Sequence, residues 1–279
     1  MLLKDALATA LSRLKAANVP SPRLNAETLL MFTLGCDRAY VYAHPERELT
    51  TDEHERYDDA LTKRARGIPA QYITGHQEFW GLDLIVSPAA LIPRPETEHV
   101  IETVLPLAKA QTRPRIIDVG TGSGAIAIAL AKELPNAEIH AADISESALE
   151  VARTNAARHQ VEAKIVFHHR DLVEGFEASG FDFVVSNPPY VGESEEDEVQ
   201  LEVRKFEPRN AVFGGPSGVE VIERLIPQAE LVLKPGGWLI LEMSGTIAAR
   251  VRDLLSGWRD IVAVKDLQGI ERVAVARKP

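Results

Sequence analysis

The chain has 279 residues, of which 45% are hydrophobic and 26% charged, with a formal net charge of −10 and one cysteine. Such a length suits two domains of about 100–200 residues each, and the acidic balance argues against extended contact with DNA or RNA, which needs basic surface to displace counterions. Lone Cys36 excludes an internal disulfide and reads as a small core residue in a reducing compartment, while no apolar run approaches the ~20 residues of a membrane span.

The first residues lack the charged-then-apolar layout of a secretion signal, so a cytoplasmic protein without membrane contact is expected. Leu3, Leu7, Leu11 and Leu14 recur instead at helical spacing. Ser21-Pro22 opens a second helix, with Leu24, Leu29, Leu30 and Phe32 on its apolar side. A third starts near Thr51 or Asp52, carries Tyr57, Ala60 and Leu61, and stops at Gly67. Lys63, Arg64 and Arg66 read as its solvated basic end, complementing the helix dipole. No nucleotide, metal or catalytic spacing occurs here, so residues 1–70 are expected to be a helical partner-docking domain.

Residues 71–96 read as a β-hairpin and a Pro-rich connector. Gln71-Tyr72-Ile73 and Leu82 to Val86 are strand-like about a turn near Gly75. Ile92-Pro93-Arg94-Pro95-Glu96-Thr97-Glu98 is a stiffened loop leading into a helix. From 97 to 279 strands and helices alternate. Strand patterns fall at Ile116–Val119, Ala137–Ala142, near Ile165 and Phe183, and at Trp238–Leu241, Ile261–Val264 and Arg272–Val275. Helical patterns cover Ala125 to Leu134, Ser145 to Ala157, Val219 to Leu233 and Ala248 to Leu255. The expected fold class is α/β: a doubly wound, mostly parallel seven-stranded sheet, with a terminal antiparallel hairpin at one edge.

Asp118-Val119-Gly120-Thr121-Gly122-Ser123-Gly124 joins the first of these strands to its helix. Glycines let the backbone approach a ligand, and the helix start offers N–H groups. By itself such a turn also fits dinucleotide binding or a purely structural role. However, the spacing lacks the third glycine position of the dinucleotide fingerprint, and Asp118 would repel a pyrophosphate while attracting a cationic ligand. Asp143, ending the second strand, stands where an acid grips ribose hydroxyls. Asp171 can accept from an adenine amino group, with Leu172 packing on the ring. Together these residues describe a site for a nucleoside with a cationic, amino-acid-like tail: S-adenosylmethionine rather than NAD.

Ser186-Asn187-Pro188-Pro189-Tyr190 follows the apolar run Phe181 to Val185. Two prolines fix φ and lack N–H groups, making a rigid shelf of one amide, backbone carbonyls and an aromatic. It can accept both hydrogens of a planar –NH2 group, although taken alone it equally suits a stiff turn without a ligand. Asn187 stands where it can border the cofactor as well. His168-His169 has no partners at ligand spacing, and no metal is expected. The run Glu193 to Glu198 reads as a solvated mobile loop, with attraction of a basic partner as the sharper alternative.

The glycine turn, Asp143 and the Asn187-Pro188-Pro189-Tyr190 shelf resemble a class I, Rossmann-like, S-adenosylmethionine-dependent methyltransferase acting on nitrogen. Phe79-Trp80-Gly81-Leu82, Ile92 to Glu98, Glu207-Pro208-Arg209 and Phe213-Gly214-Gly215 resemble more specifically the peptide chain release factor glutamine N5-methyltransferases, across essentially the whole chain. The shelf is shared with DNA adenine methyltransferases; the Pro-Arg-Pro-Glu-Thr-Glu connector is more specific, since the branch acting on a ribosomal-protein glutamine typically carries Pro-Arg-Ser-Pro. Leu172 sits where an aromatic against adenine is the alternative. The resemblance implies methylation of the glutamine in the Gly-Gly-Gln motif of release factors; a monomer with no direct nucleic-acid or membrane partner is expected. Asn187 Oδ1 and the Pro188 carbonyl would each accept one amide hydrogen, with Tyr190 against the amide plane. Arg94 and Glu96 are expected to shape the substrate-side wall. Adenine-N6 methylation of DNA or RNA, and methylation of a ribosomal protein, stand as the alternatives.

Overall fold

In the computed structural model, which describes residues 1–279, α1 (Leu3–Ala16) buries Leu3, Ala6, Ala10 and Leu14, one helical face. Leu7 and Leu11 lie at its margin. α2 (Pro22–Leu34) starts on its proline and ends at Gly35, whose φ of 62° is the left-handed cap glycine takes readily. Leu29 and Leu30 are buried as expected, but Leu24 and Phe32, at 52% and 49% exposure, point to solvent. α3 (Arg38–Ala43), which hydrophobic periodicity does not announce, is started by Asp37 accepting from the Tyr40 N–H at 2.8 Å. α4 (Thr51–Ala65) opens with a reciprocal capping box between Thr50 and Glu53.

Arg64 corrects the expectation of a solvated helix end. It is 3% exposed, with Nε donating to Asn25 Oδ1 at 2.7 Å, Nη1 to the Ile68 carbonyl at 3.1 Å, and Nη2 to Glu202. A buried guanidinium is tolerated when its donors are matched in this way. Gln71-Tyr72-Ile73 is not a strand either: it lies in the short helix α5 (Ala70–Thr74), entered at Pro69 and closed by Gly75 at φ 76°.

The hairpin instead pairs β1 (His76–Phe79) with β2 (Leu82–Ile85), turning at Trp80-Gly81. The chain continues through α6 (Glu98–Lys109), β3 (Arg115–Val119), α7 (Ala125–Glu133), β4 (Glu138–Asp143), α8 (Glu146–Arg158), β5 (Ile165–His169) and β6 (Phe181–Ser186). After these come β7 (Val191–Gly192), α9 (Leu201–Phe206), α10 (Arg209–Val212), β8 (Phe213–Gly215), α11 (Glu220–Val232) and β9 (Leu233–Glu242), and finally α12 (Ala248–Leu254), β10 (Arg259–Lys265) and β11 (Glu271–Arg277). Two compact units result: Met1–His76 with Gln200–Phe206, and Gln77–Val199 with Glu207–Pro279.

The second unit carries the expected seven-stranded sheet, in the order β10-β11-β9-β6-β3-β4-β5. β11 runs antiparallel to both neighbours, and the remaining pairs are parallel. Side chains of β3 alternate between the two faces: Ile116 joins Ile101, Ile128, Leu130 and Phe183 on one side, and Ile117 joins Val184, Ile222, Leu225 and Leu239 on the other. Both faces are thus covered, which is why the strands read as continuous apolar runs. From β3 the order runs through β4 to β5, then β6 returns on the far side of β3. The crevice beyond the carboxyl ends of β3 and β6 is the switch point where open α/β sheets bind ligands. No helix is long and apolar enough to cross a membrane.

Candidate active site

Two loops leave the sheet at that switch point. In the first, Asp118 is fully buried, its Oδ2 accepting from Thr121 Oγ1 at 2.6 Å and from the Ala127 N–H at 3.1 Å. Burial pushes its pKa up to about 7, opposed by those two hydrogen bonds and reinforced by the nearby Asp143. Asp118 therefore ties the loop together from behind and does not line the cavity in front of it. Gly120, Gly122 and Gly124 all have left-handed φ, at 70°, 56° and 85°. Gly124 is also a contact requirement, because a Cβ there would lie 2.9 Å from Ile128 Cδ1 and 3.1 Å from Ala152 Cβ.

The loop spends most of its own N–H groups. Those of Gly120 and Thr121 donate to the Ala142 carbonyl, that of Gly124 to the Thr121 carbonyl, and that of Gly122 to Asp143 Oδ2 at 2.8 Å. The glycines shape the turn, and the N–H groups of Ser123, Ala125 and Ile126, which have no partner in the protein, are left as donors at the start of α7. Asp143 Oδ1 accepts the Ser145 N–H at 2.8 Å. Burial raises the Asp143 pKa while these backbone donors pull it back.

A cavity of about 310 Å³ opens here and brings together Gly120 to Ser123, Asp143, Asp171, Leu172, Asn187 and Pro189. Asp171 also pairs with Arg224, at 2.5 Å. Leu172 holds a φ of 52°, uncommon for a branched side chain. Pro188, Tyr190, Arg94 and Glu96 are not among the lining residues, whereas Thr97 is.

The second loop leaves β6 with Ser186 Oγ donating to the Val119 carbonyl at 2.7 Å, fastening the two loops at their roots. Asn187 Nδ2 donates to Thr97 Oγ1 at 3.0 Å. Tyr190 packs its ring against the core and donates its hydroxyl to Glu242 Oε1 at 2.9 Å. Burial, then the facing Glu242 carboxylate, hold the Tyr190 pKa far above the ordinary phenol value, so it is a neutral donor. The shelf is clasped by β8, which pairs with β7. A Cβ on Gly214 would sit 2.5 Å from the Pro189 carbonyl oxygen and 2.6 Å from that of Gly218, so only glycine fits.

Arg94 is engaged by Glu207, which is itself buried and also accepts the Ile92 N–H at 3.1 Å. The pair fastens the proline-rich connector to the segment before α10. Glu193 to Glu198 forms a 3₁₀ segment pinned by a two-pronged pair between Glu196 and Arg209, at 2.7 and 2.9 Å, with Arg209 over the Phe213 ring. The acidic run expected as a loop is thus a 3₁₀ segment tied at Glu196 by the fork of Arg209. His168 stacks on His140 against Phe176 and Phe181, and burial lowers its pKa to about 4.

Thr97, which lines the cavity, and Glu242, which receives the Tyr190 hydroxyl, were not singled out in the sequence. Thr97 lay inside a motif read for its charges. Glu242 had a signal of the kind that singled out Asp143: an acid ending an apolar strand at the ligand-binding edge.

Residues 5–75 match the family described as PrmC N-terminal domain, and residues 99–205 the Methyltransferase small domain. The chain is 56% identical to the release factor glutamine methyltransferase of Koribacter versatilis, over 100% of this chain and 99% of that protein. It is 40% identical to the protein of the same description from Xylella fastidiosa, over 95% and 97%. The hMettl16 catalytic domain, solved with an RNA hairpin, is 21% identical and superposes over 79% of this chain and 80% of its own at a TM-score of 0.57, a likeness of fold alone. Identity of this extent, along the full length, means that the chain belongs to the release factor glutamine methyltransferases.

Proposed function

We propose that this protein transfers a methyl group from S-adenosylmethionine to the side-chain amide nitrogen of the glutamine in the Gly-Gly-Gln motif of a release factor, supporting translation termination. The observation that carries this reading is the orientation of Asn187. Its Nδ2 is committed to Thr97, so Oδ1, bordering the cavity and without a donor from the protein, is left as an acceptor.

The cofactor end fits its ligand. A left-handed glycine turn, unspent N–H groups of Ser123, Ala125 and Ile126, and the Asp143 carboxylate border one cavity. The N–H groups suit a carboxylate tail, and Asp143 suits ribose hydroxyls. Asp171 and Leu172 would border the adenine. When bound, S-adenosylmethionine supplies an electrophilic methyl group. The chain's own contribution lies in orientation. An amide nitrogen is a poor nucleophile because its lone pair is delocalised; holding both its hydrogens in the Asn187 Oδ1 and Pro188 carbonyl acceptors favours a pyramidal nitrogen at fixed position. The methylated amide sheds its extra proton readily, and no side chain need act as a dedicated base.

The helical unit is assigned to docking the release factor, and the protein to acting as a cytoplasmic monomer. Arg94 and Glu96 border the substrate side of the connector in this reading. The test is incubation with labelled S-adenosylmethionine and a purified release factor, followed by mass spectrometry. One methyl group on the Gly-Gly-Gln glutamine is expected; label on an adenine-containing nucleic acid or a ribosomal protein instead would overturn the substrate.

A further inference from the structure

Leu172 is the only residue of the cavity wall other than glycine with a left-handed backbone, at φ 52°. That conformation strains a residue with a Cβ and persists only where its surroundings over-determine it. Two side chains of α11 supply such a hold, four residues apart and therefore on one face of the helix. Arg224 Nη2 donates to Asp171 Oδ2 at 2.5 Å, and Gln228 Oε1 accepts the Val173 N–H at 3.3 Å. The residues on either side of Leu172 are thus both tied to α11. Val173 is also sunk in the core at 3% exposure, and Leu172 packs against the same apolar cluster.

The sheet register fixes where this loop stands. β5 pairs with β4 so that His169 lies opposite Asp143, and the Arg170 N–H donates to the Asp143 carbonyl at 2.9 Å. Asp171 and Leu172 come next, one strand beyond the carboxylate that suits ribose hydroxyls, on the side toward which the base of a nucleoside would extend. Arg224 takes only Oδ2, so Asp171 Oδ1 has no donor in the protein and remains an acceptor. An adenine amino group offers a hydrogen to such an atom, whereas a base with an oxygen in that place would meet it acceptor to acceptor. We propose that Arg224 and Gln228 are positioning residues that hold Asp171 and Leu172 in the shape that selects adenine, with Leu172 against the ring and Asp171 Oδ1 toward its amino group; this deepens the methyl-transfer reading and rests on its cofactor. Gln228 does not border the cavity and acts only through the Val173 N–H.

The test is calorimetry with two ligands, S-adenosylhomocysteine and its deaminated inosine counterpart, which carries an oxygen in place of the amino group. Wild type should prefer the adenine ligand about 10- to 100-fold, the scale of a mismatched hydrogen bond. Arg224→Ala should cut that preference to about threefold, chiefly by weakening the adenine ligand, and Arg224→Lys, which keeps a cation on a long side chain, should restore most of it. Gln228→Leu, which keeps the bulk and loses the acceptor, should weaken the adenine ligand about 3- to 10-fold. Neither Arg224 nor Gln228 is buried, so denaturation midpoints close to wild type are expected. A wild-type preference in Arg224→Ala, or equal weakening of both ligands, would overturn the proposal. A readout without ligand is hydrogen exchange at the Val173 amide. Gln228→Leu should speed it about 10-fold or more, and Arg224→Ala should shift it in the same direction; wild-type exchange in both would also overturn the proposal. Should the wild-type protein bind neither ligand, the cofactor reading falls, and the Val173 exchange rate still decides whether α11 holds the loop.

Discussion

The loops after β3 and β6 sit on adjacent parallel strands and are joined at their roots by Ser186, yet they are built in opposite ways. The first is made of glycines with left-handed φ, and what it leaves over is N–H groups. The second is made of prolines, which have no N–H to offer, and what it leaves over is a side-chain oxygen and carbonyls. One edge of the cavity therefore donates and the other accepts. In the proposed reading an anionic tail is held on the first side and an –NH2 group on the second, so that one crevice would hold two ligands without either competing for the other's partners.

The comparison breaks most sharply at Gly214. Gly214→Ala puts a methyl group 2.5 Å from the Pro189 carbonyl oxygen, forcing the accepting loop to move while leaving the donating loop alone. Turnover should fall about 100-fold, with cofactor affinity little changed by calorimetry; equal losses in both would mean that the loops are not separable. Gly122→Ala is the complementary change. Its Cβ would meet only Ala90 Cβ at 3.9 Å, so the cost is the left-handed backbone, about 1–2 kcal/mol. Cofactor binding should weaken about 10-fold, with kcat at saturating cofactor nearly unchanged.

Arg94→Ala sharpens the account of the connector. The structure engages Arg94 with buried Glu207 rather than with the cavity, so the variant should lose about 2 kcal/mol of stability, the scale of a hydrogen-bonded charge. A normal denaturation midpoint, with a raised KM for release factor, would leave Arg94 a role at the substrate-side wall alone.

A pH slope is also expected. Asp118 is shifted from 3.8 to about 7 by burial, so the folded protein binds a proton there that the unfolded chain has released. Its contribution to stability is present below pH 4 and is lost as pH rises through 7. In the protein without cofactor, Asp118→Asn should remove this fall, seen as a flatter dependence of unfolding free energy on pH between 4 and 7. An unaltered slope would place the titration elsewhere.

The parts of this molecule legible from sequence are the local ones. Strand and helix alternation after Arg115, the glycine turn and the proline shelf each declare themselves within a few residues, because backbone freedom is a property of the residue itself. Gln71-Tyr72-Ile73 misled because a short apolar run fits a strand or a helical turn equally, and Pro69 and Gly75 settled it as helix. Arg64 read as a solvated helix end because its carboxylate partner lies 138 residues away. The same distance in sequence hid the shelf's supports. Asn187 and Thr97 are 90 residues apart, and Tyr190 and Glu242 52, so the motif was visible but its hydrogen-bond partners were not.

The most direct test of a divided crevice is Asn187→Ala, assayed for cofactor binding by calorimetry and for methyl transfer to release factor on the same preparation. The account predicts that S-adenosylmethionine still binds within a few-fold of wild type, while turnover falls about 100-fold or more, the scale of a lost positioning contact. Turnover that survives, or binding and turnover that fail together, would contradict it.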